Sequence, residues 1–163
     1  MRCVKLIIAA IIVCVVFSSC NILGIGQPEY FGFKTSSFAV IEESNTHGGF
    51  HGDGYYYLIL DCSENREQAM ELIEDWKQLP LTENLQIIMY GGEKNGISYG
   101  PKLPEEAHWP IISNGVYKFV DRRSGYMADR SDDANLFDRH SYNFSVAVYD
   151  FDTDKLYYFE FDT

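Results

Sequence analysis

Three groups of residues carry side chains that could do chemistry. The first is His47-Gly48-Gly49-Phe50-His51-Gly52-Asp53-Gly54, where two imidazoles and one carboxylate fall within seven residues. His47, His51 and Asp53 offer the donor types of a zinc triad. Histidines at i and i+4 converge on a helix, and the glycines between them deny one, so this loop would have to wrap an ion to bring the three together. Its glycine amides could instead line an anion. No G-x-x-x-x-G-K-[ST] pattern is present, which leaves nucleotide-phosphate binding without support. The plainest role for the segment is a turn whose glycines supply positive φ.

The second group is Asp150-Phe151-Asp152-Thr153-Asp154. Carboxylates at alternate positions resemble the opening of an EF-hand calcium loop, in which oxygens at positions 1, 3 and 5 ring a hard cation. The pattern then departs: position 6 is Lys155 rather than glycine, and position 12 is Phe161 rather than glutamate. Asp150, Asp152 and Asp154 are therefore calcium candidates set against an ordinary hairpin turn, where Asp and Thr recur for local hydrogen-bonding reasons.

The third is hydrolase machinery. Ser36, Ser37, Ser98 and Ser113 lack a G-x-S-x-G elbow, and His108 and His140 have no recognisable nucleophile beside them. Carboxylate pairs abound in so acidic a chain and single out no glycosidase dyad. There is no catalytic signature and no cofactor fingerprint, so no cofactor is expected.

These groups must be held by the elements between them. Ser36–Glu43 reads as a first strand. Tyr55–Cys62 (YYYLILDC) is apolar or aromatic almost throughout, as in a strand buried on both faces, and is expected at the centre of the sheet. Ser63–Gln78 reads as a helix: Ser63 caps it, and Ala69, Leu72, Ile73 and Trp76 form one apolar stripe before Pro80 ends it. Thr82–Tyr90 fits a short helix better than a strand. Glycines and prolines make 91–110 an irregular connection, and Val116–Asp121 alternates as a strand. The mixed-charge stretch 122–140 reads as a solvated excursion. Asn143–Tyr149 and Leu156–Phe161 form a C-terminal hairpin, with Phe144, Val146 and Val148 on one face and Tyr157, Phe159 and Phe161 on another. The expected fold is α+β: a mainly antiparallel sheet of about five strands with one or two helices packed on one face.

Composition narrows the function. Apolar residues make up 46% of the 163 and aromatics 15%, too hydrophobic for a disordered chain. The formal charge is −11, a field that repels phosphate backbones, so nucleic acid is excluded as a partner. Tyr55, Tyr56, Tyr57, Tyr149, Tyr157 and Tyr158 come in runs, and exposed tyrosine rows can bind protein or envelope glycan.

The first twenty residues, MRCVKLIIAAIIVCVVFSSC, place Arg2 and Lys5 before an apolar run that ends in Ser18, Ser19 and Cys20. That is the layout of an export signal. The run Val16-Phe17-Ser18-Ser19-Cys20 resembles the lipobox of bacterial lipoproteins, with Phe17 where that family prefers leucine. The resemblance implies a signal peptide over 1–19, cleavage before Cys20 and a diacylglyceryl group on its sulfur. It also implies residence on the extracytoplasmic face of the cell membrane. Residues 20–29 then read as a tether and 30–163 as one globular domain. Only Cys62 would remain in that domain, too few cysteines for a disulfide framework. The stretch from His47 to Cys62 and the tyrosine-rich C-terminus also look like small lipoproteins of Gram-positive bacteria, a group that lends no catalytic residue.

Two functions follow as expectations. One is a non-enzymatic binding module at the outer face of the membrane. The other is a small cell-envelope hydrolase using the loop 47–54 with acids from 129–138. Convergence separates them: an enzyme needs His47, His51 or Asp53 beside another titratable group in a cleft.

Overall fold

The computed structural model describes residues 31–48, 52–123 and 129–163. The expected signal peptide over 1–19, the lipidation candidate Cys20, the expected tether 20–29 and His51 lie outside the described residues. Strands β1 (Ala39–Asn45) and β2 (Gly54–Asp61) lead through a 3-10 turn (Ser63–Asn65) into helix α1 (Arg66–Leu72). Strand β3 (Lys77–Gln78), helix α2 (Glu83–Tyr90) and the small hairpin β4 (Gly92–Lys94)–β5 (Ile97–Tyr99) follow. A second 3-10 turn (Glu105–Ala107) precedes β6 (Gly115–Asp121), β7 (Asn143–Asp150) and β8 (Lys155–Asp162). Six strands form one antiparallel sheet in the order β1-β2-β8-β7-β6-β3, with β4 and β5 apart from it.

The α+β class and the C-terminal hairpin are as the sequence predicts; the layering is not. Along β2, β6, β7 and β8 both the odd and the even positions are apolar, so both sheet faces require cover. One face carries Tyr56, Leu58, Leu60, Val116, Ala147, Tyr149 and Tyr158, packed under Ala69 of α1 with Ile73 and Trp76. The other carries Tyr57, Tyr117, Phe119, Phe144, Val146, Val148 and Phe159, packed under Leu85, Ile88 and Met89 of α2. The helices expected together on one face thus lie on opposite faces. Phe144 pairs across the hairpin with Phe161, Val146 with Phe159 and Val148 with Tyr157. Directly paired residues point to the same side, so the two hairpin rows share a face instead of occupying two.

Two further expectations are corrected. Tyr55–Cys62 is buried as foreseen but is not central: β8 and β7 occupy the middle, and β2 lies next to the edge strand β1. The helix expected over Ser63–Gln78 is a 3-10 turn over Ser63–Asn65 and α-helical only from Arg66 to Leu72. Its stripe is still buried at Ala69, Ile73 and Trp76, but past Ile73 the backbone tightens, with the Trp76 amide donating to the Ile73 carbonyl at 3.0 Å. That turn frees Lys77 and Gln78 to pair with Tyr117 and Val116 of β6. Pro80 favours the change, because the residue before a proline is pushed towards extended backbone. Ser63 caps nothing; its amide and hydroxyl both donate to Asp61.

Helix α2 begins as its sequence predicts. The Thr82 hydroxyl accepts from the Leu85 amide at 3.2 Å, and Gly91, at φ +83°, ends the helix. No helix among the described residues is long and apolar enough to cross a membrane.

Candidate functional site

Two places stand out, one on each face of the sheet. On the α2 face, the segment after β3, helix α2 and the segment before β6 enclose a cleft of about 470 Å³ over Val148. Leu79, Leu81, Ile111 and Ile112 supply its apolar walls, Gln86 and Ser113 its polar groups. Tyr90 is its one ionisable side chain, and burial raises that phenol above its ordinary range. Ile111 stands on the rim, 87% exposed. Volume and lining fit a small-molecule or side-chain site, mostly apolar with a few orienting polar groups. Tyr90 also borders a shallower hollow of about 360 Å³ lined by Leu103, Glu105, His108 and Trp109.

On the opposite face, His47 turns inward. Gly54 lies directly across the ladder from Asp162. A Cβ there would stand 2.8 Å from the His47 nitrogen and 2.9 Å from the Thr46 carbonyl carbon, so only glycine lets the loop backbone cross this close. The result is an imidazole with 5% of its side chain exposed, its Nε2 2.9 Å from Asp162 Oδ2. Its Nδ1 lies 3.0 Å from Asn45 Oδ1, which also accepts from the His47 amide at 2.9 Å.

Arg122, just past β6, closes the cluster. Its Nη2 donates to both oxygens of Asp162, at 3.0 and 2.9 Å, and to the Phe144 carbonyl at 3.2 Å. Its Nη1 lies 3.1 Å from Glu160 Oε1. The Tyr158 hydroxyl donates to Glu160 Oε2 at 2.7 Å and lies 3.2 Å from Ser145 Oγ. Glu160 is fully buried, and desolvation lifts its carboxyl above the ordinary range against the pull of Arg122 and Tyr158. Ligand atoms of His47, Glu160 and Asp162 all lie within 4.8 Å of one another, the one such trio among the described residues.

The residues singled out from sequence are therefore dispersed. His47 leaves its neighbours for two acids at the far end of the chain, whereas Asp53 is exposed. Asp150, Asp152 and Asp154 do not converge. Asp150 accepts from the Asp152 amide and the Thr153 hydroxyl, Asp152 from Asn114, and Asp154 from Arg66 and Tyr149. They act as turn and bridging acceptors. Across 129–138, Asp129 closes a local turn onto Ser131, Asp132 accepts from the Ala134 amide, and Asp133 bonds the Thr82 hydroxyl.

Among the described residues of 122–140, two side chains are less solvated than the composition suggests. Leu136 is buried in the core, and Arg139 is buried against Asp121. Glu160 and Asp162 were missed because alternate acids on a strand read as its wet face. The available signal was their position: they continue the row of Leu156 and Tyr158, an apolar face. Comparison with known proteins finds no matching family model, no similar curated protein and no similar solved structure.

Proposed function

We propose that this protein is a non-enzymatic binding module, carried on the outer face of the cell membrane by a lipid on Cys20, whose apolar cleft receives hydrophobic side chains of a protein partner. One observation carries the reading: the apolar cleft and the trio His47, Glu160 and Asp162 are on opposite faces of the sheet. The open cleft offers apolar walls and neutral polar groups. The cluster around His47 is closed over, with Glu160 fully buried and Asp162 8% exposed. A hydrolase needs its acid and base where a substrate can reach both. The apolar cleft has no such pair, and of the acids in 129–138 Asp129 and Asp132 close local turns while Asp133 bonds Thr82. Lipid anchorage is supported by the lipobox-like run and the basic, apolar and small-residue order of residues 1–20.

The binding reading is tested on mature lipidated protein in nanodiscs, with Ser113→Cys labelled by a polarity-sensitive fluorophore. Amides of leucine and isoleucine should give a saturable blue shift that asparagine amide does not, and Ile112→Asp should abolish it. No saturable response, or one indifferent to Ile112→Asp, would reject the cleft as the binding site. Anchorage is tested by intact mass from membranes of a native-like host. A mass for residues 20–163 plus a diacylglyceryl group is expected, and an unlipidated or full-length mass would overturn it.

A further inference from the structure

The orientation of His47 leaves a question of protons. A backbone N–H can only donate, so the bond from the His47 amide fixes Asn45 Oδ1 as an acceptor. The ring's Nδ1, 3.0 Å from the same oxygen, must then carry a hydrogen. In neutral imidazole this leaves Nε2 with a bare lone pair, aimed at a carboxylate oxygen 2.9 Å away. Two lone pairs do not face one another at that distance. The arrangement is stable when a cation, either a proton or a metal ion, lies between them.

A second observation points the same way. Arg122 is the protein's own cation in the cluster, and it fits imperfectly. Glu160 Oε1, on a side chain with no exposure at all, accepts no hydrogen bond although Arg122 Nη1 is 3.1 Å away. Arg122 Nε is likewise buried without a partner. Buried polar atoms without a hydrogen bond are rare and costly. The Arg122 side chain is 20% exposed, against 5% for that of His47.

We infer that His47 Nε2, Glu160 and Asp162 form a site for a first-row divalent metal of the zinc class, with Arg122, which bridges the two acids, as the competing cation. One imidazole and two carboxylates are a borderline nitrogen and oxygen set suited to zinc. His47 Nε2 and Asp162 Oδ2 are in direct contact at 2.9 Å, and two ligands about 2.0–2.2 Å from one tetrahedral ion stand about 3.4 Å apart, so binding opens this pair by about half an ångström. Asn45 does for His47 what outer partners do for metal-binding histidines: it fixes the tautomer and aims Nε2 inward. A dication balances the charge of Glu160 and Asp162, which releases Arg122 to solvent. The metal then joins the loop after β1 to the C-terminal end of β8, on the face opposite the cleft. This inference is independent of the cleft's role.

The test uses full-length protein in detergent, stripped with chelator, thiols alkylated, and titrated with zinc chloride by equilibrium dialysis and by melting temperature. One zinc per chain with a rise in melting temperature is expected, with no response to calcium or magnesium. His47→Gln should abolish binding, and Asn45→Ala should weaken it about tenfold or more. Arg122→Gln should melt lower without zinc yet bind zinc more tightly than wild type. If that variant does not fold, the comparison of wild type with His47→Gln decides alone. Absence of zinc binding, binding indifferent to His47→Gln, or zinc weakened by Arg122→Gln would each overturn the site.

Discussion

Gly54→Ala tests how the loop reaches the sheet. The added Cβ would lie 2.8, 2.9 and 3.0 Å from the His47 nitrogen, the Thr46 carbonyl carbon and the His47 Cα, all backbone atoms that cannot swing aside. The loop must lift by several tenths of an ångström. Two sets of bonds hold it down: His47 to Asp162, and the reciprocal pairing of Thr46 with Tyr55 through amide and hydroxyl. Loss of the charge-assisted contact costs about 1.5–3 kcal/mol and loss of a neutral bond about 1 kcal/mol. The expected destabilisation is therefore roughly 3 kcal/mol, read from urea unfolding followed by tryptophan fluorescence. Gly96→Ala is the control. Gly96 sits at φ +76° with nothing near its absent Cβ, so its cost is backbone strain alone, about 1–2 kcal/mol. Equal losses for the two variants would refute the claim that Gly54 exists to admit the loop.

The remaining predictions concern groups away from the loop. Cys62 is fully buried, and burial pushes its thiol up to about 12, so it should resist a disulfide reagent at pH 8 until the protein is unfolded. Labelling at the rate of the unfolded chain would contradict its place in the core. Tyr57 donates to Glu42 at 2.7 Å, and that bond raises its phenol from 10.0 to about 12. Because the folded value lies above the unfolded one, this contribution is complete below pH 10 and lost as pH climbs through 12. Stability measured over that window should fall in wild type and less steeply in Tyr57→Phe, and parallel curves would remove Tyr57 from the account. Leu85, buried on the sheet-facing side of α2, should cost about 2–5 kcal/mol as Leu85→Ala, with a loss near zero showing that α2 does not seal that face.

What could be read from the sequence was what neighbours decide. Thr82 followed by Glu83 and an apolar row is a helix start in either context, and the two alternating runs around 150–155 make a hairpin because the turn between them is short. Failures came where distant partners decide. Ile73 and Trp76 keep helical spacing, yet the chain leaves the helix between them because β6, some forty residues on, offers Lys77 and Gln78 a ladder. One-sided packing was expected because antiparallel sheets often have a wet face. The doubly apolar runs of β2 and β7 already argued otherwise. At the candidate sites the same limit applies. His47 was identifiable as a reactive residue type, but its partners, more than a hundred positions later, looked like surface acids on a strand. The cleft has no motif at all, being only the gap that Leu79, Leu81, Ile111 and Ile112 leave when α2 settles on Val148.

The strand order has a consequence for assembly. β8 follows every other strand in the sequence and yet lies between β2 and β7, bonded to both along its whole length. Until it arrives, the N-terminal hairpin β1–β2 has no seam to the rest of the sheet, and β7 has one open edge. His47 likewise has no acid to meet before Glu160 and Asp162 take their places. Without β8 the sheet falls into two separate parts, β1–β2 and β7–β6–β3. β8 is in that sense the keystone of the sheet, the strand through which β2 is joined to β7.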